Sequence, residues 1–241
     1  MPRFYCNLPL STGAIIQLPE AVARHVHVLR LAVNDPIILF NGSGGQYNAR
    51  LVAIEKKHVQ AKLHLFDPCE AEPAYGITLA QALPEGAKMD WIVEKAVELG
   101  AAGIQPLAAS RSVVRLSAER AAKKMEHWQG VMAAAAEQCG RNRLPHLAEL
   151  ADFIPWMRQQ DMHRRILLSP RGTQSLADWA RHQPAQALTL IIGPEGGLTD
   201  AEENLAIAEG AVCVAMGARI LRTETAGLAA LAAIHALWGE L

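Results

Sequence analysis

The chain has 241 residues, 51% of them hydrophobic, with 23 basic and 24 acidic side chains and a net charge of −1. That length holds one large domain or two modest ones, with enough buried surface to fold unaided. Cys6, Cys69, Cys139 and Cys213 lie far apart, which excludes a disulfide scaffold and a zinc ribbon and reads as reduced thiols of a cytosolic protein. The start, MPRFYCNLPL, lacks the basic cluster and unbroken apolar run of a signal peptide, and no stretch approaches the ~18 apolar residues of a membrane span.

The first ~70 residues read as a small β-rich module. A strand over 3–8 precedes a helix over 19–31 opened by Pro19. Apolar runs follow at 36–40, 46–54 and 58–66, the last two alternating as half-buried antiparallel strands do. The segment NGSGG (41–45) is expected to form the hairpin turn between the first two. Residues 67–76, DPCEAEPAYG, read as a linker.

From about Ile77 strands alternate with helices. Strands are expected at 77–82, 104–107, 165–169, 188–192 and 212–215, and helices at 87–99, 117–138, 175–182, 199–209 and 223–237. Gly100 is expected to cap the first of these helices, and Thr199 with Glu202 to form a capping box on the fourth. That order predicts a parallel α/β sheet. Charge is uneven: residues 1–87 are neutral (7 basic, 7 acidic), 88–171 carry +4 (13 against 9), and 172–241 carry −5 (3 against 8). A polyanion would therefore bind the first two stretches.

In an open parallel sheet ligands bind where loops leave the carboxyl ends of strands. Two such loops are unusual. In 193-GPEGG-197 three glycines let the backbone turn sharply and approach a ligand; the plain alternative is an ordinary strand-to-helix turn. In 216-MGARILRTETAG-227 the apolar pair Ile220 and Leu221 interrupts an exposed-looking connection, as a core plug or as a slot for an adenine ring; Thr223 or Thr225 is expected to cap the helix that follows. Neither loop carries a nucleotide phosphate fingerprint, which excludes a dehydrogenase or NTPase of the usual kinds.

Taken together, GPEGG followed by T-x-x-E, then MGARILRTETA, resembles the 16S ribosomal RNA uridine-N3 methyltransferases of the SPOUT superfamily. The segments 88-KMDWIVEKAVELGAAGIQP-106, 137-EQCGRNRLP-145 and 24-RHVHVLRL-31 extend the likeness over nearly the whole chain, with Met216 where leucine is commoner and Arg24 and Val26 altering a paired-histidine element. The resemblance implies a PUA-like β-barrel RNA-binding domain over 1–70 and a SPOUT domain with a trefoil knot over 74–241. It further implies a homodimer, a cytoplasmic location, S-adenosyl-L-methionine as cofactor, and 16S rRNA within the small ribosomal subunit as substrate.

On that reading the cofactor is held by Leu168, Ile192, Gly193, Pro194, Gly196, Gly197, Met216, Gly217, Ile220, Leu221, Arg222 and Thr223. Methyl transfer to uridine N3 is an in-line displacement that needs alignment and help with the departing imide proton. Arg141, Arg222 and Glu195 are the expected catalytic groups, with Glu224 a further carboxylate; both glutamates also suit a helix N-terminus, and Arg222 a structural ion pair with Glu224. RNA contacts are expected from Arg3, Arg24, His25 and Arg30, and from Arg111 and Arg115 of 110-SRSVVR-115. His25 and His27 are two apart on a helix and do not share a face, so no metal is expected. The rival readings are a SPOUT ribose 2′-O-methyltransferase and an RNA-binding assembly factor without catalysis.

Overall fold

The computed structural model describes residues 1–56 and 58–240. The chain divides into two compact units, Met1–Glu72 with Ala133–Leu144, and Pro73–Met132 with Pro145–Leu241.

The first unit holds β1 (Arg3–Tyr5), β2 (Ile15–Gln17), α1 (Glu20–Val28), β3 (Pro36–Phe40), β4 (Gln46–Ile54) and β5 (Val59–Asp67). They form a five-stranded sheet in the order β1-β3-β4-β5-β2, antiparallel except for the β1–β3 pair. Alternation decides the core: Ala49 and Leu51 of β4 and Val59, Ala61 and Leu63 of β5 are buried on one face. Helix α1 buries Val22, Ala23 and Val26 against them, at the spacing that puts apolar residues on one side of a helix. The first strand is shorter than expected, ending at Tyr5, and the three-residue β2 has too few alternating positions to register in the sequence.

The second unit is an eight-stranded, all-parallel sheet. Its members are β6 (Ile77–Ala82), β7 (Gly103–Ala108), β8 (His146–Leu147), β9 (Ala151–Asp152), β10 (Arg164–Leu168), β11 (Gln174–Ser175), β12 (Leu188–Ile192) and β13 (Val212–Ala215). The order is β11-β13-β10-β12-β6-β7-β8, with β9 also pairing β7. The helices are α2 (Lys88–Glu98), α3 (Ala118–Cys139), α4 (Phe153–Met157), α5 (Leu176–Arg181), α6 (Asp200–Ala208) and α7 (Thr223–Trp238); the last residues of α3 belong to the first unit. Strand β12 is buried at every position, as a strand covered on both faces must be.

Local signals explain most boundaries. Leu99 is the C-cap residue of α2, and Gly100 follows it at φ +83°, the left-handed position beyond the cap that favours glycine. The Thr199–Glu202 capping box opens α6. Helix α7 corrects one expectation: Arg222 is its N-cap without a side-chain cap, because the Thr223 hydroxyl is engaged elsewhere. At Gly227 an added Cβ would come within 2.9 Å of Leu79 Cδ1 and 3.3 Å of Ile192, so a glycine lets α7 lie against β6 and β12. The three two-residue strands and α4 carried no usable periodicity.

Candidate functional site

Strands β13, β10 and β12 lie side by side and parallel, so their exit loops gather at one sheet edge. Chain order reverses here, since β12 lies on one side of β10 and β13 on the other, and such a switch point opens a crevice. The loops surround a cavity of ≈ 750 Å³. That is within the ~300–1,000 Å³ range of small-molecule sites.

The first wall is the loop after β12. Gly193 is held so close to the returning chain that a Cβ there would lie 2.9 Å from the Leu198 nitrogen. Gly197 sits at φ +68° and donates its N–H to the Pro194 carbonyl, which closes the turn. Two clamps fix it from outside. The Glu202 carboxylate accepts from the N–H groups of Thr199 (2.8 Å) and Ser110 (2.7 Å). Arg111 donates to the carbonyls of Gly196 (3.0 Å) and Leu198 (3.2 Å).

The second wall is the loop after β13. Gly217 takes φ +88°, and Ile220 is 85% exposed. Among the described residues, the backbone N–H groups of residues 217–221 make no hydrogen bond within the chain. They are donors free to meet a ligand edge. A buried relay ties the two walls together. Gln81 Nε2 donates to Thr223 Oγ1 at 2.9 Å, and Thr223 Oγ1 donates to the Gly193 carbonyl at 2.6 Å.

Three carboxylates border the cavity. Glu195 accepts from Lys88 Nζ (2.6 Å) and the Glu85 N–H (2.9 Å). Burial works to raise its carboxyl, but the Lys88 and backbone hydrogen bonds together hold it below the usual range. Glu203 accepts from Ser169 Oγ (2.8 Å) and pairs with Arg171 (3.2 Å). Glu224, in the first turn of α7, has a buried Oε2 with no hydrogen-bond partner among the described residues.

Leu168, Ile192, Gly193, Pro194, Gly197, Met216, Gly217, Ile220, Leu221, Arg222 and Thr223, together with Glu195, all line this one cavity. Gly196 is outside the lining, its carbonyl turned to Arg111. The sequence reading missed Lys88, Ser169, Pro170, Leu198, Glu203 and Ala226, and gave Glu224 no place in the cofactor pocket. Lys88 shortly follows β6 and Ser169 directly follows β10, so the strand-exit rule applied to every strand would have found both.

Arg141, in the first unit, is 3% exposed, and its Nε and Nη2 donate to the two oxygens of Glu72. Arg3 is similarly engaged, with Gln46, Asn142 Oδ1 (2.8 Å) and the Arg141 carbonyl (3.2 Å), and it stacks over Phe40. Arg24, His25 and Arg30 are exposed, Arg24 pairing with Glu20 at 2.7 Å and His25 set edge-on to Phe4. Arg115 is exposed and donates to the Ser110 carbonyl at 3.0 Å.

A family model described as an RNA methyltransferase domain matches residues 71–235, and one described as an RNA methyltransferase PUA domain matches residues 18–63. The Ribosomal RNA small subunit methyltransferase E of Bacillus subtilis (strain 168) is 36% identical, across 89% of this chain and 87% of that protein. The crystal structure of a Ribosomal RNA small subunit methyltransferase E from Neisseria gonorrhoeae bound to S-adenosyl methionine is similar at a TM-score of 0.93 and 40% identity, covering 99% of this chain and 98% of that one. A Legionella pneumophila protein solved in complex with the bound cofactor SAM gives 0.92 at 34% identity, covering 97% and 96%. The chain belongs to the RNA methyltransferase family that includes the Ribosomal RNA small subunit methyltransferase E proteins.

Proposed function

We propose that the chain transfers a methyl group from S-adenosylmethionine to N3 of a uridine in small-subunit ribosomal RNA. The observation that carries this is the meeting of the Gly193–Leu198 and 216–222 loops around one cavity. Its donor set suits the cofactor: apolar Ile220 and Leu221 for an adenine ring, free N–H groups for its edge, and an unpartnered carboxylate oxygen for a cation. When bound, S-adenosylmethionine supplies an electrophilic methyl carbon.

The chain's own part is positioning and charge. Arg222, exposed at the cavity wall, offers a cation to the uracil oxygens as the N3 proton leaves to water. Glu195 is ionised but tied to Lys88 and the Glu85 N–H, so it shapes the wall rather than taking that proton. Arg141, tied to Glu72, acts as structure. Exposed Arg24, His25, Arg30 and Arg115 contact RNA, while Arg3 and Arg111 brace the protein. The family likeness supports an RNA-binding domain over 1–70, a knotted SPOUT domain over 74–241, a cytoplasmic homodimer, and a substrate within the small subunit.

Calorimetric titration with S-adenosylmethionine, and mass spectrometry of ribosomal RNA from cells lacking the protein, test this reading. Binding, with loss of one N3-methyluridine, is expected. An unchanged methylation map or absence of binding would overturn it.

A further inference from the structure

The cavity's three carboxylates differ in one respect. Glu195 and Glu203 have their charge met by Lys88 and Arg171, whereas the Glu224 Oε2 is buried with no partner among the described residues. Arg219 and Arg222 line the same cavity, but among the described residues neither pairs with Glu224. Lys88, the nearby ammonium, is hydrogen-bonded to Glu195 at 2.6 Å and feels Glu224 only through space. Glu224 stands in the first turn of α7, at the positive end of the helix dipole, which faces the carboxyl without covering it. A buried carboxylate oxygen lacking a partner carries a desolvation cost that a cationic ligand recovers.

We propose that Glu224 is the counter-charge for the sulfonium of the methyl donor and sets the preference for the charged donor over the neutral product. The inference rests on the reading that the cavity takes S-adenosylmethionine. In the transfer the carbon–sulfur bond breaks with its electron pair left on sulfur. The methyl carbon bonds uridine N3, and the N3 proton leaves to water. The sulfur is then an uncharged thioether, so the attraction to Glu224 ends when the methyl group has gone. The carboxylate holds the donor and releases the product, and it adds little to the chemical step, because the charge it favours is already fading in the transition state.

The test is calorimetric titration of the full chain with S-adenosylmethionine and S-adenosylhomocysteine, wild type against E224Q. The wild type is expected to bind the sulfonium compound about tenfold more tightly, a difference of about 1.4 kcal/mol. E224Q should lose about that factor for S-adenosylmethionine and hold S-adenosylhomocysteine within roughly twofold. Equal wild-type affinities overturn the proposal without any variant, so it remains testable should E224Q fail to fold. Equal losses for both ligands overturn it too, by placing the carboxylate on the amino-acid end they share. Failure of the wild type to bind either ligand would instead sink the functional reading itself.

Discussion

Thr223 Oγ1 donates to the Gly193 carbonyl at 2.6 Å while accepting from Gln81 Nε2 at 2.9 Å, so one hydroxyl joins the start of α7, the glycine loop and strand β6. Thr223 is 6% exposed. Thr223→Val keeps the shape and leaves the Gly193 carbonyl unmet, a cost of ~1–3 kcal/mol. Denaturant unfolding should show that loss, and S-adenosylmethionine binding should weaken with it because the two cavity walls are no longer pinned. Unchanged stability together with unchanged affinity would show the relay to be idle.

The contact between α7 and the sheet yields a graded expectation. Gly227→Ala puts a methyl group 2.9 Å from the end of the Leu79 side chain, but it also gains ~1 kcal/mol of helix propensity, so the net change should be small. Gly227→Val adds branches with nowhere to go between Leu79 and Ile192, and should cost ~1–3 kcal/mol. Thermal midpoints of the pair would show a clear gap; equal midpoints would mean the helix can back away from β6 at no cost.

Glu202 makes the glycine loop sensitive to acid. The residue is 1% exposed, and burial works to raise its carboxyl, but N–H donors from Thr199 and Ser110 outweigh that and hold it below the usual carboxylate value. With the folded pKa depressed, its contribution is present above the unfolded value of about 4.3 and fades as pH falls through the lower folded value. Glu202→Gln should therefore destabilise by ~1–3 kcal/mol near neutrality and flatten the stability curve below about pH 4. Chemical denaturation at neutral and acid pH checks it; a variant as acid-sensitive as the wild type would assign that sensitivity elsewhere.

Much of this was legible in the residues, and the reasons differ by element. Long strands and helices such as 77–82, 188–192 and 200–208 announce themselves through periodicity and caps, and the two cavity loops through glycine density at strand exits. What escaped has a physical cause. Two-residue strands such as β8 and β9 are too short to show a period. The tie between Arg141 and Glu72 joins residues 69 apart, and Arg3 meets Asn142 across 139, separations that no local pattern encodes. The Thr223 hydroxyl read as a cap because local logic puts threonine there, and a distant carbonyl claimed it.

Helix α1 ends in a Schellman arrangement: the Leu31 N–H reaches the Val26 carbonyl at 3.1 Å and the Arg30 N–H the His27 carbonyl at 3.0 Å. The left-handed position, φ +56°, is filled by Arg30 where glycine fits without strain. Arg30→Gly should stabilise the fold by up to ~1 kcal/mol. If exposed Arg30 meets a phosphate, the same change should weaken RNA binding and reduce the salt slope by about one. RNA titrations at several salt concentrations, set beside denaturant midpoints, read both; a stabler variant with an unaltered salt slope would remove Arg30 from the interface.

Arg141 and Glu72 form a two-pronged ion pair, and the Arg141 side chain is 4% exposed. Removing one member strands the other, so Arg141→Ala should cost ~3–5 kcal/mol, and any loss of turnover would track the unfolded fraction. Replacing both members by apolar residues of similar volume, Arg141→Met with Glu72→Leu, leaves no unmatched charge and should recover most of that stability. The decisive comparison is turnover per folded molecule. A double variant that folds and still methylates RNA makes Arg141 a brace, whereas a well-folded double variant without turnover would return Arg141 to the catalytic groups.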